Sequence, residues 1–321
     1  MESRVCRIHA PHDLRVETEA VTEPGPGQVL VAVGAGGICG SDLHYYHAGG
    51  FGTVRLREPM ILGHEVAGTV TALGGGVTAL AEGDRVALNP SHPCGSCDYC
   101  SQGAFNHCTE MRFYGSAMRF PHVQGAFRDL ILVDAAQCET VGPGTTLAEA
   151  ACAEPLAVCL HAAARAGALS GKRVLVTGAG PIGALCAAAA RHHGAAEIVV
   201  TDLQDATLAV AARMGATRTV NVSGGSEAME PFLAGKGHFD VTIECSGASP
   251  AVRTAIAATR PQGTIVQVGL AGELALPINL LVGKEIALKG TFRFHPEFAE
   301  AVRLVDSGAI DVKPIITGRY P

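Results

Sequence analysis

The sequence predicts an α/β protein of two domains, in which an irregular all-β domain precedes a doubly wound parallel sheet. Its 321 residues exceed the length of about 250–300 residues at which a single core stops growing. The N-terminal half carries short runs of alternating apolar and polar residues between Gly- and Pro-rich turns. The C-terminal half instead alternates continuous apolar runs with Ala-rich runs, as strands and crossover helices of a parallel sheet do.

The N-terminal half is interpreted as short strands joined by long loops. Residues 4–33 alternate in short runs around the turn Glu23–Gly27, and further β runs cover Glu65–Thr71, Asp84–Leu88 and Phe127–Val133. We expect an irregular β-barrel, and its long loops are the expected place for function.

One loop region carries a candidate metal site. Cys39, His64 and Glu65 offer a thiolate, an imidazole and a carboxylate, a ligand mixture that suits Zn²⁺ in a site with one open position. The alternative is a buried cysteine beside a surface His-Glu pair, because free cysteine packs as a small hydrophobe.

A second loop carries four closely spaced cysteines in the pattern C-x2-C-x2-C-x7-C. Four thiolates close a tetrahedral zinc site with no open position, so such a site is structural. The remaining cysteines stand in apolar runs and are interpreted as core residues. The predicted ligands are Cys94, Cys97, Cys100 and Cys108.

The C-terminal half opens with a nucleotide-binding pattern. The apolar strand Lys172–Thr177 runs into G-x-G-x-x-G and then the helical run Ala184–His193, an order that places a pyrophosphate at a helix N-terminus. Asp202 follows the next strand, where a carboxylate binds ribose hydroxyls and selects NAD over NADP. The predicted cofactor-binding residues of the turn are Gly178, Gly180, Pro181, Ile182 and Gly183.

The strand and helix unit then repeats to the end of the chain. Helices are predicted at Leu147–Ala166, Asp205–Met214, Pro250–Thr259 and Pro296–Asp306. Strands are predicted at Glu197–Thr201, Asp240–Cys245, Gly263–Val268 and Glu285–Phe292.

Composition excludes several classes of function. A formal net charge of −6 lacks the basic surface that nucleic-acid binding needs. We expect no membrane span, because no apolar run in the sequence reaches the roughly 18 residues that a span requires. With no export signal in the sequence, we predict a cytoplasmic protein whose eleven cysteines serve metal binding rather than disulfides.

Taken together, these motifs resemble the zinc-dependent medium-chain alcohol and polyol dehydrogenases over essentially the whole chain. Gly37–Asp42, Gly63–Glu65, the four-cysteine loop, Glu154–Ala157 and the glycine-rich turn stand in the family's order and spacing. The resemblance implies two zinc ions and NAD as cofactors, and it implies a homo-oligomer, either a tetramer or a dimer.

The resemblance also implies a domain arrangement. A GroES-like β-barrel catalytic domain would cover residues 1–153 with its structural zinc loop at 90–110, and a Rossmann NAD-binding domain would cover 154–290. Residues 291–321 would return to the catalytic domain. Family members continue past this point, so we expect a truncated chain.

Residue roles follow from the resemblance position by position. Cys39 and His64 would bind the catalytic zinc, with Glu65 as the third ligand. Glu154 would be either a ligand or a catalytic base that holds the zinc-bound water, and which glutamate binds the ion at rest stays open. Ser41 and His44 would relay the proton. The expected substrate contacts are Tyr45, Phe113, Arg112, Arg119 and Arg293.

The expected reaction is oxidation of a secondary hydroxyl of a small-molecule substrate. A sugar acid is preferred because the loop Met111–Phe127 supplies arginines able to bind a carboxylate. A neutral polyol such as sorbitol or xylitol is the alternative substrate. A remote alternative is a non-catalytic sensor that binds zinc and NAD.

Overall fold

A computed structural model describes residues 1–270 and 272–320. Contacts divide the chain into two compact units, one of Met1–Glu154 with Phe298–Ser307, the other of Pro155–Glu297 with Gly308–Pro321. The predicted boundaries stay predictions. The units differ from them mainly at the C-terminus, where only Phe298–Ser307 groups with the first unit.

The first unit is built on antiparallel sheets. Its main sheet has five strands in the order β11-β3-β7-β8-β12, and a second has the order β2-β1-β6. Its strands are β1 Glu2–Ala10, β2 Asp13–Ala20, β3 Gln28–Gly37, β4 Gly50–Phe51, β5 Val54–Arg55, β6 Met60–Ile61, β7 Glu65–Leu73, β8 Arg85–Leu88, β9 Ser91–His92, β10 Arg112–Phe113, β11 Leu130–Asp134 and β12 Cys138–Thr140. Its helices are α1 Gly40–Ala48, α2 Asp98–Ser101 and α3 Leu147–Ala151.

The core of this unit comes from the apolar face of the main sheet. Val29, Val31, Val66, Val86 and Leu88 are at most 1% exposed and form one cluster. Val29 and Val31 alternate along β3, and Val86 and Leu88 along β8, so each pair shares a face of the sheet; β3 pairs with β7 in a defined register. This register places Gly37 opposite Glu65 at one end of the strand pair.

The second unit is a parallel sheet of six strands in the order β15-β14-β13-β16-β17-β18. The sequence order reverses between β13 and β16, which is the switch point where such sheets bind ligands. Its strands are β13 Arg173–Thr177, β14 Glu197–Asp202, β15 Arg218–Asn221, β16 Phe239–Glu244, β17 Thr259–Gln267 and β18 Ala287–Gly290. The helices of the rest of the chain are α4 Ala153–Ala166, α5 Pro181–His192, α6 Asp205–Arg213, α7 Glu230–Leu233, α8 Ser249–Ala258, α9 Ile278–Lys284 and α10 Glu297–Asp306.

Most predicted elements are present, with shifted ends. The predicted single helix Leu147–Ala166 is two helices, because the chain breaks at Cys152, the C-cap of α3. The predicted strand Glu285–Phe292 is shorter, because Glu285 adopts a left-handed conformation that ends α9. Several elements were not predicted, among them α1, β15 and α9.

One buried segment meets the length and composition of a membrane span. By length and composition, Leu147–Ala166 could cross a membrane, and it is the only such segment among the described residues. About 67% of the qualifying window is buried inside the protein, which is what a core helix of a globular protein shows.

Candidate functional site

Cys39 stands immediately before α1 and is held by the start of that helix. It is the N-cap residue, and Asp42 at the third helical position completes a capping box with it. Oδ2 of Asp42 accepts a hydrogen bond from the Cys39 backbone N at 3.0 Å, and Oδ1 accepts one from Gly63 N at 3.2 Å. One carboxylate therefore fixes both the turn at Cys39 and the residue before His64.

His64 and Glu65 lie where β7 begins. Gly63 has φ +91°, and a Cβ there would meet the Phe127 ring at 2.2 Å, so the turn requires glycine. A Cβ at Gly37 would lie 2.1 Å from Oε2 of Glu65, so glycine at position 37 leaves room for that carboxylate. The ligand atoms of Cys39, His64 and Glu65 all lie within 4.8 Å of one another.

The electrostatics of this cluster fit a divalent cation. Burial raises the pKa of Cys39 to about 12, with the charges of Glu65 and Glu154 adding to the rise. Burial likewise raises the pKa of Glu65 to about 7. The negative charges of the buried thiolate and carboxylates destabilise one another. A bound cation would neutralise them and stabilise their ionised forms, so the donor set fits Zn²⁺.

Glu154 lies near this cluster but outside the group of three ligand atoms. It is 5% exposed and occupies the first turn of α4. Its charge contributes to the raised pKa of Cys39, so its carboxylate acts on the same site. The geometry favours Glu65 over Glu154 as the third ligand.

The predicted relay and substrate residues on α1 have different surroundings. The Ser41 hydroxyl hydrogen-bonds the Cys39 thiol and opposes the rise of its pKa, which puts Ser41 beside the metal site. His44 is exposed, and its ring lies 5.9 Å from that of Phe51. Tyr45 is 1% exposed and its hydroxyl accepts a hydrogen bond from Ala117 N at 2.9 Å, so its predicted substrate contact stays a prediction.

The loop that follows the four cysteines brings one predicted residue to the site. Phe113 is buried and its ring centroid lies 5.4 Å from that of His64. Arg112 is exposed and precedes Phe113 on the same short strand, so its side chain leaves from the opposite face. Arg119 forms an ion pair with Glu110 and also donates to the Glu110 carbonyl at 2.6 Å.

The four-cysteine loop forms a second ligand group. The sulfur atoms of its four cysteines also lie within 4.8 Å of one another. Backbone N–H groups donate to these sulfurs, from Cys94 to Cys108 at 3.2 Å and from Glu110 to Cys108 at 3.3 Å. Hydrogen bonds from the backbone of Cys100 and Thr109 lower the pKa of Cys97 to about 6. Such bonds favour thiolates, so the loop fits a tetrahedral structural zinc.

In the second unit, the glycine-rich turn joins β13 to α5. Gly178 has φ +86°, and a Cβ on Gly183 would lie 1.8 Å from the Gly178 carbonyl oxygen, so both positions require glycine. Gly180 is the N-cap of α5 and Pro181 occupies its first turn. A Cβ on Gly180 would meet nothing within 4 Å, so the turn leaves open space in front of the helix N-terminus. A pyrophosphate fits that space and the dipole behind it.

Asp202 ends β14 beside this turn. Its Oδ2 accepts a hydrogen bond from Ala179 N at 2.6 Å, and its Oδ1 accepts one from Gln204 N at 3.0 Å. The carboxylate is thereby held at the edge of the sheet, next to the glycines, as a ribose-binding residue requires.

Arg293 follows β18 in the second unit. It has φ +53°, an uncommon conformation for a side chain of its size, and its guanidinium carbon lies 5.0 Å from the centroid of the Phe292 ring. Its predicted contact with the substrate stays a prediction.

Sequence reasoning missed Asp42 and Gly37 as parts of the metal site. The capping-box spacing from Cys39 to Asp42 was visible, and it would have indicated that α1 begins at Gly40. The role of Gly37 follows only from strand register, which the sequence alone does not supply.

Comparison with known proteins agrees with the fold and the site. The alcohol dehydrogenase GroES-like domain matches residues 25–143, and the zinc-binding dehydrogenase domain matches residues 181–307. L-idonate 5-dehydrogenase (NAD(P)(+)) of Escherichia coli is 45% identical over 95% of this chain and 89% of its own length. Human sorbitol dehydrogenase is 38% identical over 98% of this chain and 88% of its own. A crystal structure of L-idonate 5-dehydrogenase from Escherichia coli superposes with a TM-score of 0.93 at 43% identity, covering 98% and 90% of the two chains.

The fold and the two ligand groups define a zinc oxidoreductase with a dinucleotide cofactor. The chain belongs to the family of zinc-dependent medium-chain dehydrogenases and is an NAD-dependent member of its polyol branch. The predicted family and fold class are confirmed. The remote alternative of a sensor without catalysis finds no support among these relatives.

Proposed function

We propose that the protein oxidises the C5 hydroxyl of L-idonate to 5-ketogluconate and reduces NAD⁺. The observation that carries this substrate is the 45% identity to L-idonate 5-dehydrogenase, against 38% to sorbitol dehydrogenase over a similar length. The reaction class rests on the cluster of Cys39, His64 and Glu65, a ligand set with an open position.

At the catalytic site, Cys39, His64 and Glu65 would hold zinc. Glu154 would either replace Glu65 as a ligand or act as an additional ligand. Zinc supplies a Lewis acid that makes a coordinated hydroxyl more acidic, and NAD⁺ accepts the hydride. The proton then leaves through Ser41, whose hydroxyl touches Cys39, and His44, which is exposed and open to solvent. Phe113 shields the His64 side of the site from water.

For the substrate carboxylate we propose Arg293 as the main partner. Arg119 is paired with Glu110, and Arg112 lies on the face of its strand opposite Phe113. Both stay weaker candidates, and Tyr45 would support the site from the core rather than touch the sugar acid.

For the cofactor we propose Gly178, Gly180, Pro181, Ile182 and Gly183 as the pyrophosphate-binding turn. Asp202 would bind the ribose hydroxyls and disfavour the 2′-phosphate of NADP. The open space before α5 and the fixed Asp202 carboxylate support this assignment.

The test is a comparison of kcat/KM for L-idonate, D-gluconate, D-sorbitol and xylitol with NAD⁺. We expect L-idonate to be preferred. Arg293→Ala should raise the KM for L-idonate far more than the KM for D-sorbitol, while Arg15→Ala, a control at an arginine paired with Asp13, should change neither. Preference for D-sorbitol or xylitol, with equal effects of Arg293→Ala on all substrates, would retire the sugar-acid assignment.

A neutral polyol such as sorbitol or xylitol is the second candidate substrate. The pairing of Arg119 with Glu110 favours it, because that guanidinium is already bound to a carboxylate. The sorbitol dehydrogenase relatives support it as well.

We further propose a homo-oligomer, a dimer or a tetramer, that forms in part through β18. This strand is last in the sheet order and so presents an unpaired edge. Exposed apolar side chains lie on it and on α9, with Leu288 at 42% and Val282 at 70% exposure. Light scattering on the wild type and on Leu288→Lys tests this, and an unchanged mass in the variant would argue against it.

A cytoplasmic location is also proposed. No disulfide joins any of the eleven cysteines, which all lie in the described residues, and this suits a reducing compartment. Fractionation of cells that express the protein would test the assignment.

A further inference from the structure

A fully buried carboxylate lies at the C-terminal end of the parallel sheet, outside the metal sites. Glu244 is 0% exposed and is the last residue of β16. Its Oε1 accepts hydrogen bonds from Thr177 Oγ1 at 3.2 Å, from Ser246 N at 2.9 Å and from the Ser246 hydroxyl. Both oxygens accept from Gly247 N, at 3.1 and 2.9 Å, and Oε2 also accepts from Gln267 Nε2.

These donors come from the ends of three adjacent strands. Thr177 ends β13 and pairs in register with Glu244, while Gln267 ends β17 and pairs with Glu244 on the other side. Strands β13 and β16 flank the switch point of the sheet, where the crevice for a ligand opens at the carboxyl ends of the strands. The Glu244 carboxylate thus links the ends of β13, β16 and β17 by hydrogen bonds at the base of that crevice.

The segment held by Glu244 also forms a wall of the glycine-rich turn. A Cβ on Gly178 would lie 3.0 Å from Cβ of Ser246 and 3.1 Å from its N. A Cβ on Gly269 would lie 2.3 Å from Gly247 N, so Gly247 packs directly against the segment that follows β17. A shift of Ser246 and Gly247 would therefore disturb both the contact with Gly178 in the turn and the contact with Gly269 after β17.

We propose that Glu244 is a positioning residue for the dinucleotide, because it fixes Ser246 and Gly247 against Gly178 in the conformation that admits the cofactor. This inference rests on the proposed NAD site. Glu244 acts through Ser246 and Gly247. Its role is to keep the crevice in the conformation that binds the dinucleotide.

A carboxylate is required because it only accepts hydrogen bonds. Five donor groups from four residues converge on its two oxygens, and a glutamine would turn an amide N–H₂ toward donors such as Gly247 N or Gln267 Nε2. A buried donor without an acceptor is costly, so the segment would rearrange rather than keep its conformation.

The experiment measures the dissociation constant of NADH, by its own fluorescence, for the zinc-loaded wild type and Glu244→Gln. The matched control is Thr242→Val. Thr242 is 0% exposed and lies two residues before Glu244, on the same face of β16. Its hydroxyl forms a hydrogen bond of 2.7 Å with Thr259 Oγ1, a residue outside the glycine-rich turn. Binding is measured at a temperature at which all variants are folded, alongside their unfolding temperatures.

We expect Glu244→Gln to bind NADH at least about tenfold more weakly, because a lost buried hydrogen bond to a charged group costs more than the 1.4 kcal/mol of one decade. The KM for NAD⁺ should rise with it, while the KM for the polyol or sugar-acid substrate and the zinc content stay unchanged. Thr242→Val should lower the unfolding temperature but leave NADH binding alone.

Two results would overturn the inference. Equal NADH affinity of Glu244→Gln and wild type would make Glu244 structural only. If Glu244→Gln does not fold, Gln267→Met is measured instead; it removes the Nε2 group that donates to Glu244 and to the Gly269 carbonyl. This variant must weaken NADH binding by about threefold or more, and an unchanged affinity rejects the proposal. A wild type that binds no NADH at all would instead reject the cofactor assignment itself.

Discussion

Asp42 and Gly63 are joined by a hydrogen bond across 21 residues of sequence, from Gly63 N to Asp42 Oδ1 at 3.2 Å. The other oxygen of the same carboxylate accepts from Cys39 N at 3.0 Å. Asp42 is 3% exposed, so water does not compete for these bonds. Two metal ligands from separate parts of the chain, Cys39 and His64, therefore depend on one buried side chain for their relative position.

We predict that Asp42→Asn lowers zinc affinity about 10- to 100-fold, the usual effect of losing a residue that orients ligands. An asparagine keeps one acceptor oxygen, so it satisfies either Cys39 N or Gly63 N but not both. Competition with a chelating dye measures the affinity. Asp129→Asn, which alters an exposed carboxylate bound to Arg4, is the control. Unchanged zinc affinity in Asp42→Asn would mean that the ligands hold their position without it.

The free energy of unfolding of the metal-free protein should fall as the pH rises from about 4.5 to 7. Burial raises the pKa of Glu65 from 4.5 to about 7, so the folded protein keeps a proton that the unfolded chain has lost. Between these values the folded state binds more protons, and the free energy of unfolding falls as pH rises from about 4.5 to 7, by on the order of 3 kcal/mol. Burial also raises the pKa of Asp42 to about 6, which acts in the same direction.

Zinc should remove this fall, because the cation replaces the proton on Glu65 and favours the charged form. Urea unfolding at several pH values, with and without zinc, measures both curves. If the metal-free protein gained stability over this range, the buried carboxylates would not have the raised pKa values.

The four-cysteine loop should bind the second zinc independently of catalysis. Cys97→Ser is expected to reduce the zinc content from two ions to one per chain, because a serine hydroxyl is a poor ligand in a thiolate site. The unfolding temperature should fall while the KM for substrate stays the same. Cys6→Ser, at a half-buried cysteine of β1, should keep both ions. Two retained zinc ions in Cys97→Ser would contradict the assignment of this loop.

Cofactor preference should depend on the charge of Asp202. In Asp202→Asn the side chain can still accept from Ala179 N, but it no longer repels a 2′-phosphate. We expect the ratio of kcat/KM for NADP⁺ over NAD⁺ to rise by about tenfold or more. Asp205→Asn changes the same charge on an exposed residue nearby and should leave the ratio as it is. An unaltered ratio in Asp202→Asn would place the selectivity elsewhere.

The sequence predicted the parts of the fold that depend on local pattern. The glycine-rich turn between β13 and α5 has a fixed spacing, so its position was predictable to within a few residues. The ends of elements were less predictable, because Glu285 ends α9 through a left-handed conformation that no pattern indicated. The short strand β15 was missed because Arg218–Asn221 contributes only one buried residue.

In the candidate site, too, some residues were predictable from the sequence and others were not. Ligand types and spacing gave Cys39, His64, Glu65 and the four-cysteine group, since the chemistry of zinc restricts the choice. Roles that depend on long-range geometry were not predictable. The ion pair of Arg119 with Glu110 and the packing of Tyr45 in the core became visible only in the structure.

The central claim is that a zinc ion at Cys39, His64 and Glu65 drives NAD⁺ reduction. Its most direct test is the rate of NADH formation from L-idonate by protein as purified, after chelation to zinc-free protein, and after Zn²⁺ is added back, with metal content measured in each sample. The account predicts that turnover is lost with the catalytic zinc and returns with Zn²⁺ but not with Mg²⁺. Undiminished turnover in zinc-free, folded protein would contradict it.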